Sequence, residues 1–420
     1  MIKLKYENSI FIFTPKETKI MYQKEYFTRK RIKVGTKGNF QDGMVNEKFL
    51  EIFAESGLDW VVLTPNNAKG EVRDMILDFC DEHGIEVYMD EKWLLEDFSL
   101  DADYKHHPSY CGTYCVDEPG TDEMPALAEV QNKYLEETGR MPFANLLPMY
   151  ANAAQLKYGA DVAAIEYYDP DPDLYEKYCR TWMALTKCDF ISVDIYPFHT
   201  NETYDQYVEN LNIFSRVARE YGKDTNLYLQ ACGWRTDMRH PSLADLRFQV
   251  YSGLSFGFKS FVYWCYTPGG FSYMPYHLVH QDGTPSHIYY YAKESIAEVK
   301  RLNDVYLGYK NLGAFNVNCT DKTPYLRMTN PTSFPTVAEI KSDDPLLIGC
   351  FEANEGDGKA FTVVNMNDNM SFKKASAKIA LDKDYKVTAW YNGYPTELSA
   401  KDGYYTVDLD SGEGVFITLE

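Results

Sequence analysis

The stretch "YCGTYCVDEPG" (residues 110–120) shows the pattern from which the fold of the chain follows. An apolar, β-prone run leads directly into two acidic residues, Asp117 and Glu118, and then into the turn signal Pro119–Gly120. A buried strand that ends at a polar turn has this composition. A helical stretch follows from about residue 122, so the sequence predicts a strand-then-helix unit here.

The same unit recurs in both directions along the chain, with amphipathic stretches such as "NEKFLEIFAESG" between the β-rich runs. The eight predicted strands are residues 31–40, 60–67, 85–91, 110–119, 142–150, 190–198, 226–234 and 260–270. Eight such units over about 275 residues predict an α/β fold of the (β/α)8 or TIM barrel type. A doubly wound open sheet is the alternative, but such sheets usually carry a Gly-rich phosphate loop, and "GTKGNF" contains no GxGxxG.

The pattern of the sequence changes after the eighth strand-then-helix unit. From about residue 311, short alternating runs are separated by turn signals such as "EGDG" and "KDG", as in an all-β sandwich. We therefore expect three parts: an N-terminal extension over residues 1–30 that packs on the barrel or on the β domain, a barrel over 31–310 that carries the catalytic site, and a C-terminal β-sandwich over 311–420.

Composition limits the partners and the compartment. The net charge of −20 argues against nucleic acid and anionic membranes as partners. The chain contains no run of 18 apolar residues and does not start like a signal peptide. Its nine cysteines include no CxxC pair, which indicates reduced thiols rather than disulfides or zinc. We expect a cytoplasmic protein without a metal or other cofactor.

Polar and aromatic residues at the carboxyl ends of the predicted strands define the expected site, because these ends face one shared pocket in a barrel. Carboxylates and amides hydrogen-bond hydroxyl groups, and Trp and Tyr cover the apolar face of a sugar. We therefore expect a small carbohydrate ligand. The predicted binding residues are Asn39, Asn66, Tyr150, Tyr196, Gln230, Trp264 and Tyr266.

Three acidic residues at the strand ends are candidates for chemistry. Cleavage of a glycoside needs a carboxylic acid to protonate the leaving oxygen and usually a second carboxylate as nucleophile or base. Glu118 is the predicted acid, Asp117 would raise its pKa by charge repulsion, and Asp194 in "SVDIYPF" is the predicted second carboxylate. The alternative is that Asp117 and Glu118 only begin the turn and cap the next helix.

Two segments resemble known enzymes. "VDEPG" (116–120) resembles the Asn/Asp-Glu-Pro motif of clan A glycoside hydrolases. "VYSGLSFGFKSFVYWCYTPGG" (250–270), with "HQDGTPSHIYYY" (280–291), resembles the last βα unit of β-galactosidase-like barrels related to glycoside hydrolase family 42. The resemblance implies a (β/α)8 barrel in which Glu118 is the acid/base. Those enzymes carry a nucleophilic Glu at the end of strand seven, where this chain has Gln230, a neutral side chain that cannot attack.

Because strand seven does not end in an acidic residue, several hypotheses about the function stay open. Asp194 could replace it, which favours an exo-acting glycosidase for small imported glycosides. An acetamido sugar could supply the nucleophile itself, as in substrate-assisted hexosaminidases, with Asp117 and Glu118 as the acid pair. The barrel could also bind carbohydrate without hydrolysing it. A barrel isomerase or aldolase is a further rival, and it would need a Schiff-base lysine such as Lys92.

Overall fold

The structure is a computed structural model, and it describes part of the chain. The described residues are 5–6, 9–10, 31–38, 40, 43–64, 70–160, 171–204, 206–234, 237–267 and 277–420. Near the start, Lys5–Tyr6 pairs antiparallel with Ser9–Ile10. The packing expected for the extension over residues 1–30 otherwise lies outside the described residues.

A closed parallel barrel of eight strands forms the first part of the fold. In chain order its strands are β1 (Lys33–Gly38), β2 (Trp60–Leu63), β3 (Glu86–Met89), β4 (Tyr110–Asp117), β5 (Met141–Leu146), β6 (Phe190–Asp194), β7 (Asp224–Gln230) and β8 (Ser260–Trp264). Each strand pairs with its neighbour in sequence, and β8 closes the barrel on β1 with Ser260 opposite Lys33. The predicted (β/α)8 barrel is confirmed.

Helices alternate with the barrel strands. In the described ranges they are α1 (Glu47–Glu55), α2 (Gly70–His83), α3 (Met124–Thr138), α4 (Ala153–Tyr158), α5 (Pro172–Leu185), α6 (Tyr207–Glu220), α7 (Leu243–Ser255) and α8 (His287–Leu307). Short 3-10 turns occur at Lys92–Leu95, Phe98–Asp101, Pro324–Leu326 and Asn369–Ser371. Among the helices in these ranges, none is both long and apolar enough to cross a membrane.

The barrel interior is filled by large side chains. Trp60, Tyr88, Phe143 and Phe190 pack edge-to-face, with ring centroids 5.2–6.1 Å apart. Gly35 on β1 makes room for this cluster, because a Cβ at that position would lie 2.5 Å from the Trp60 ring. The interior is therefore a packed core, and a ligand can enter only at an end of the barrel.

Antiparallel strands form the second part of the fold. They are β9 (Tyr309–Val317), β10 (Val337–Lys341), β11 (Leu346–Ala353), β12 (Lys359–Asn365), β13 (Ala375–Leu381), β14 (Val387–Tyr391), β15 (Tyr394–Leu398), β16 (Tyr405–Leu409) and β17 (Gly414–Leu419). One sheet has six strands in the order β9-β11-β12-β17-β14-β15, and the other has three in the order β10-β13-β16. Their inner faces enclose a second apolar core, as the predicted C-terminal β-sandwich requires.

The two parts are joined along α7. This helix is buried between the barrel and the six-stranded sheet, and the Ser255 and Thr362 hydroxyls lie 2.7 Å apart across the junction. Gly349 on β11 lies so close to the end of α7 that a Cβ at this position would be 2.5 Å from the Ser255 carbonyl oxygen. Phe351 and Phe416 of the sheet belong to the same apolar core as the outer face of the barrel.

Candidate active site

A pocket of about 190 Å³ opens at the carboxyl ends of the barrel strands. Side chains from β1, β4, β5, β6, β7 and β8, or from the residues that follow them, contribute to its wall. Its lining residues are Lys37, Tyr114, Asp117, Glu118, Asn145, Asp194, Tyr196, Tyr228, Trp234 and Trp264. Acidic, amide and aromatic side chains dominate this set, as expected for a site that binds hydroxyl-rich ligands.

A β-bulge in β4 directs two of these residues into the pocket. The register between β4 and β5 shifts between Tyr114 and Val116, so one extra residue interrupts the alternation of side chains. As a result, Tyr114 and Asp117, three positions apart, both reach the pocket. Burial raises the pKa of the Tyr114 phenol, which keeps its proton and donates a hydrogen bond to Asp117 Oδ1.

Glu118 has an unusual backbone conformation. Its φ of 50° lies in the left-handed region, which costs a residue with a Cβ about 1–2 kcal/mol. Two backbone hydrogen bonds hold it there: Glu118 N–H donates to Asn145 O at 2.8 Å, and Ala160 N–H donates to Glu118 O at 3.2 Å. Strain of this kind is concentrated at functional sites in proteins, and here it affects a carboxylate of the pocket wall.

Asp194 is the most deeply buried carboxyl of the pocket, with 7 % of its surface exposed. Asn145 Nδ2 donates a hydrogen bond to Asp194 Oδ1 at 2.9 Å. Burial, followed by repulsion from the charge of Asp117, raises the pKa of Asp194 to about 7. A carboxyl in this state can hold a proton near neutral pH and release it to a substrate.

A chain of buried polar side chains orients Asn145. Asn226 Nδ2 donates to Ser192 Oγ at 2.9 Å, and Ser192 Oγ in turn donates to Asn145 Oδ1 at 2.8 Å. Because its oxygen is occupied in this way, the amide of Asn145 presents its nitrogen to Asp194. The same residue also accepts the Glu118 N–H through its backbone carbonyl, so Asn145 contacts both candidate catalytic residues.

Lys37 is the one cation among the described residues that line the pocket. Lys37, at the end of β1, is 8 % exposed and forms an ion pair with Asp90 at 3.1 Å. Its Nζ also lies 4.0 Å from the Tyr114 ring centroid and 5.6 Å from that of Trp264. Asp90 balances the charge of Lys37, so the pocket offers little net attraction for an anionic ligand.

Aromatic side chains form one wall of the pocket. Tyr196 and Trp234 pack edge-to-face with centroids 4.8 Å apart, and Trp264 lies beside them. Tyr228, on β7, has a buried hydroxyl with no hydrogen-bond partner among the described residues. Burial, followed by the charges of Asp117, Asp90 and Asp194, raises the pKa of this phenol, so its O–H stays available as a donor.

The pocket brings together five of the residues expected from the sequence. They are Asp117, Glu118, Asp194, Tyr196 and Trp264. Their roles remain predictions, because position alone does not test them. Asn39 and Asn66 lie outside the described residues.

Three other expected binding residues are not part of the pocket lining. Gln230 is fully buried, and its amide bonds to main-chain groups of Phe198 and Arg239. Tyr266 is also fully buried, against Phe40, Phe49 and Phe53. Tyr150 packs on Tyr204 with 38 % of its surface exposed. Other protein groups surround the side chains of Gln230 and Tyr266, and the contact of these two residues with a substrate stays a prediction.

Four lining residues were not predicted from the sequence. These residues all precede the last residue of their strands, whereas the prediction was made for residues at strand ends; they are Lys37, Tyr114, Asn145 and Tyr228. A charged residue in an otherwise buried strand, as in "KVGTKG", is the signal that could have identified Lys37. Tyr114 depends on the bulge in β4, which no local sequence pattern specifies.

Comparison with known proteins gives similarity at the level of the fold. No family model matches the chain, and no curated protein matches it. A family 39 glycoside hydrolase from Bacteroides cellulosilyticus WH2 is 11% identical with a TM-score of 0.49, covering 93% of this chain and 81% of that one. A glucosidase from Croceicoccus marinus is 8% identical with a TM-score of 0.46, covering 93% and 96%.

An α-amylase from Anoxybacillus is 10% identical with a TM-score of 0.42, covering 95% of this chain and 98% of that one. At these identities and TM-scores, the similarities assign no activity to this chain. The chemistry of the pocket has to carry any functional conclusion.

Proposed function

We propose that this chain is a glycoside hydrolase that removes single sugar residues from small glycosides. One observation carries the proposal: a carboxyl with a pKa of about 7, Asp194, shares a pocket with the carboxylates of Asp117 and Glu118. A carboxyl that holds a proton beside a second carboxyl group is the arrangement that acid-assisted glycoside cleavage requires.

In this proposal Asp194 donates the proton to the leaving oxygen, and Glu118 is the carboxylate that attacks the sugar or activates water. This assignment reverses the one expected from the sequence, because burial favours the protonated form of Asp194. Asp117 has a supporting role. Its negative charge raises the pKa of Asp194, and the Tyr114 hydroxyl stabilises that charge.

The remaining lining residues support a neutral sugar as ligand. Tyr196, Trp234 and Trp264 provide an apolar wall for the face of a pyranose ring. The Tyr228 hydroxyl, for which the described part of the chain offers no hydrogen-bond partner, is suited to a sugar hydroxyl. The volume of about 190 Å³ is below the roughly 300–1,000 Å³ of sites for drug-sized ligands, so we infer an exo mode with one sugar ring in the pocket. None of the nine cysteines, all of which are described, forms a disulfide, and this fits the reducing cytoplasm.

The test is turnover of a panel of nitrophenyl glycosides by the wild type and two variants, Asp194→Asn and Glu118→Gln. Each variant should lose activity on at least one glycoside by about 10²–10⁴-fold, the usual contribution of acid–base catalysis. Tyr290→Phe is the matched control, because Tyr290 is an exposed tyrosine of α8 that does not belong to the pocket lining, and this variant should retain activity.

A second series of substrates separates the two roles. Dinitrophenyl glycosides have leaving groups that need no protonation, so Asp194→Asn should recover much of its activity on them while Glu118→Gln should not. Recovery by Glu118→Gln alone would show that the roles are exchanged. If the wild type hydrolyses no glycoside but binds a sugar tightly, the chain is a non-hydrolytic carbohydrate-binding protein and the proposal fails.

A further inference from the structure

Two cysteines and a histidine meet behind the aromatic wall of the pocket. Cys232 lies just after β7, Cys265 directly follows β8, and His277 belongs to the segment that follows. All three are buried, with 0 %, 4 % and 2 % of their surfaces exposed. No sequence motif indicates this cluster, because its members are separated by 33 and 12 positions and form no CxxC pair.

Hydrogen bonds of the main chain hold the three residues of the cluster in place. Ala231 N–H, next to Cys232, donates to Trp264 O at 2.8 Å, and Leu278 N–H, next to His277, donates to Cys265 O at 3.4 Å. The Ser286 hydroxyl donates to the carbonyl of His277. Three separate segments of backbone are thereby held with their side chains converging on one point.

The distances are those of a metal site. Cys265 Sγ lies 3.6 Å from His277 Nδ1, and the three potential ligand atoms all lie within 4.8 Å of one another. In a tetrahedral zinc site, Zn–S of about 2.3 Å and Zn–N of about 2.0–2.1 Å place sulfur and nitrogen about 3.5–3.6 Å apart. The same geometry places two sulfur atoms about 3.8 Å apart.

We propose that Cys232, Cys265 and His277 bind a zinc ion. Two thiolates and an imidazole form a soft ligand set that selects zinc over magnesium or calcium. Binding would release the two thiol protons and leave a fourth position, which water fills in zinc sites with three protein ligands. The proposal goes beyond the glycosidase assignment, because it names a second site with its own chemistry.

The zinc ion would brace the pocket wall. Trp234 and Trp264 pack against the two cysteines, so the metal would join the ends of β7 and β8 directly behind these rings. It would also attach the segment of His277 to the barrel. The expected role is therefore to hold the wall in place, because the residues that pack on the two cysteines are the aromatic side chains of that wall.

The experiment uses the full chain, purified in reducing buffer without chelators. We expect about one equivalent of zinc by mass spectrometry. After removal of the metal, titration with Co²⁺ should give a thiolate-to-cobalt charge-transfer band and the visible bands of tetrahedral cobalt, and added Zn²⁺ should abolish both. Cys232→Ser, Cys265→Ser and His277→Ala should weaken cobalt binding at least tenfold. Cys80→Ser, a buried cysteine of α2, is the matched control and should bind as the wild type does.

Three results would overturn the proposal. The first is a wild type that retains no zinc and gives no thiolate-to-cobalt band. The second is an unchanged band in Cys265→Ser. The third is a thiol titration of the unfolded, unreduced protein that finds seven thiols instead of nine, since this would indicate a Cys232–Cys265 disulfide. If the variants fail to fold, the zinc content and cobalt spectrum of the wild type decide the question.

Discussion

At the scale of single residues, the surroundings of Asp194 favour its protonated form and destabilise its charged form. Its pKa rises from 3.8 to about 7, so the folded protein holds a proton there that the unfolded chain releases. As the pH rises from about 4 to 7, the folded state therefore loses stability relative to the unfolded state, and above about 7 the loss is complete.

The variant Asp194→Asn should remove this pH-dependent loss. Its gain in unfolding free energy over the wild type should grow from pH 5 to pH 7 and then level off, reaching at most about 4 kcal/mol. Chemical denaturation at pH 5, 6, 7 and 8 measures the effect. A constant difference across this range would contradict the raised pKa of Asp194.

Asn145 should set the alkaline limb of the activity profile. Its hydrogen bond lowers the pKa of Asp194, so Asn145→Ala should raise that pKa and move the loss of kcat/KM at high pH upwards. A hydrogen bond to a charged group contributes about 1.5–3 kcal/mol, which corresponds to a shift of about one to two pH units. Ser192→Ala removes only the partner of Asn145 and should shift the profile less. An unchanged alkaline limb in Asn145→Ala would show that the residue has no part in tuning the acid.

At the scale of elements, the barrel strands depend on close packing of their side chains. Gly35→Ala on β1 should destabilise the protein by about 1–3 kcal/mol, because its Cβ would overlap the Trp60 ring. Gly43→Ala is the matched control, since no heavy atom lies within 4 Å of the Cβ it would add, and it should change stability by less than about 0.5 kcal/mol. Urea unfolding measures both. Equal effects of the two substitutions would count against the packing argument.

The strands could be predicted because a buried parallel strand is an apolar run with polar residues at its end. The same rule identified Glu118 and Asp194 as pocket residues. The rule did not show that Gln230 lies outside the pocket lining, because the carboxyl end of a strand can also face neighbouring loops. Here the Gln230 amide donates to the main-chain carbonyls of Phe198 and Arg239. Contacts of that kind, and the bulge that turns Tyr114 inward, arise only from the tertiary structure.

At the scale of the whole molecule, the barrel and the β-sandwich share α7 and one apolar core. We therefore expect calorimetry to show a single unfolding transition for both parts. Gly349→Ala should lower the temperature of that transition without splitting it, because the added Cβ would strike the backbone at Ser255. Two separate transitions in the wild type would show that the parts unfold independently.

The position of Asn145 affects how the specificity and the chemistry of such a protein can change in evolution. One residue in the middle of the barrel holds Glu118 by its main chain and Asp194 by its side chain. The separation of the two carboxyls thus depends in part on a strand residue, which substitutions in the loops around the pocket leave in place. Mutation can reshape those loops, and with them the choice of sugar, while the reactive groups keep their spacing. Specificity and chemistry can then evolve as separate traits in this scaffold.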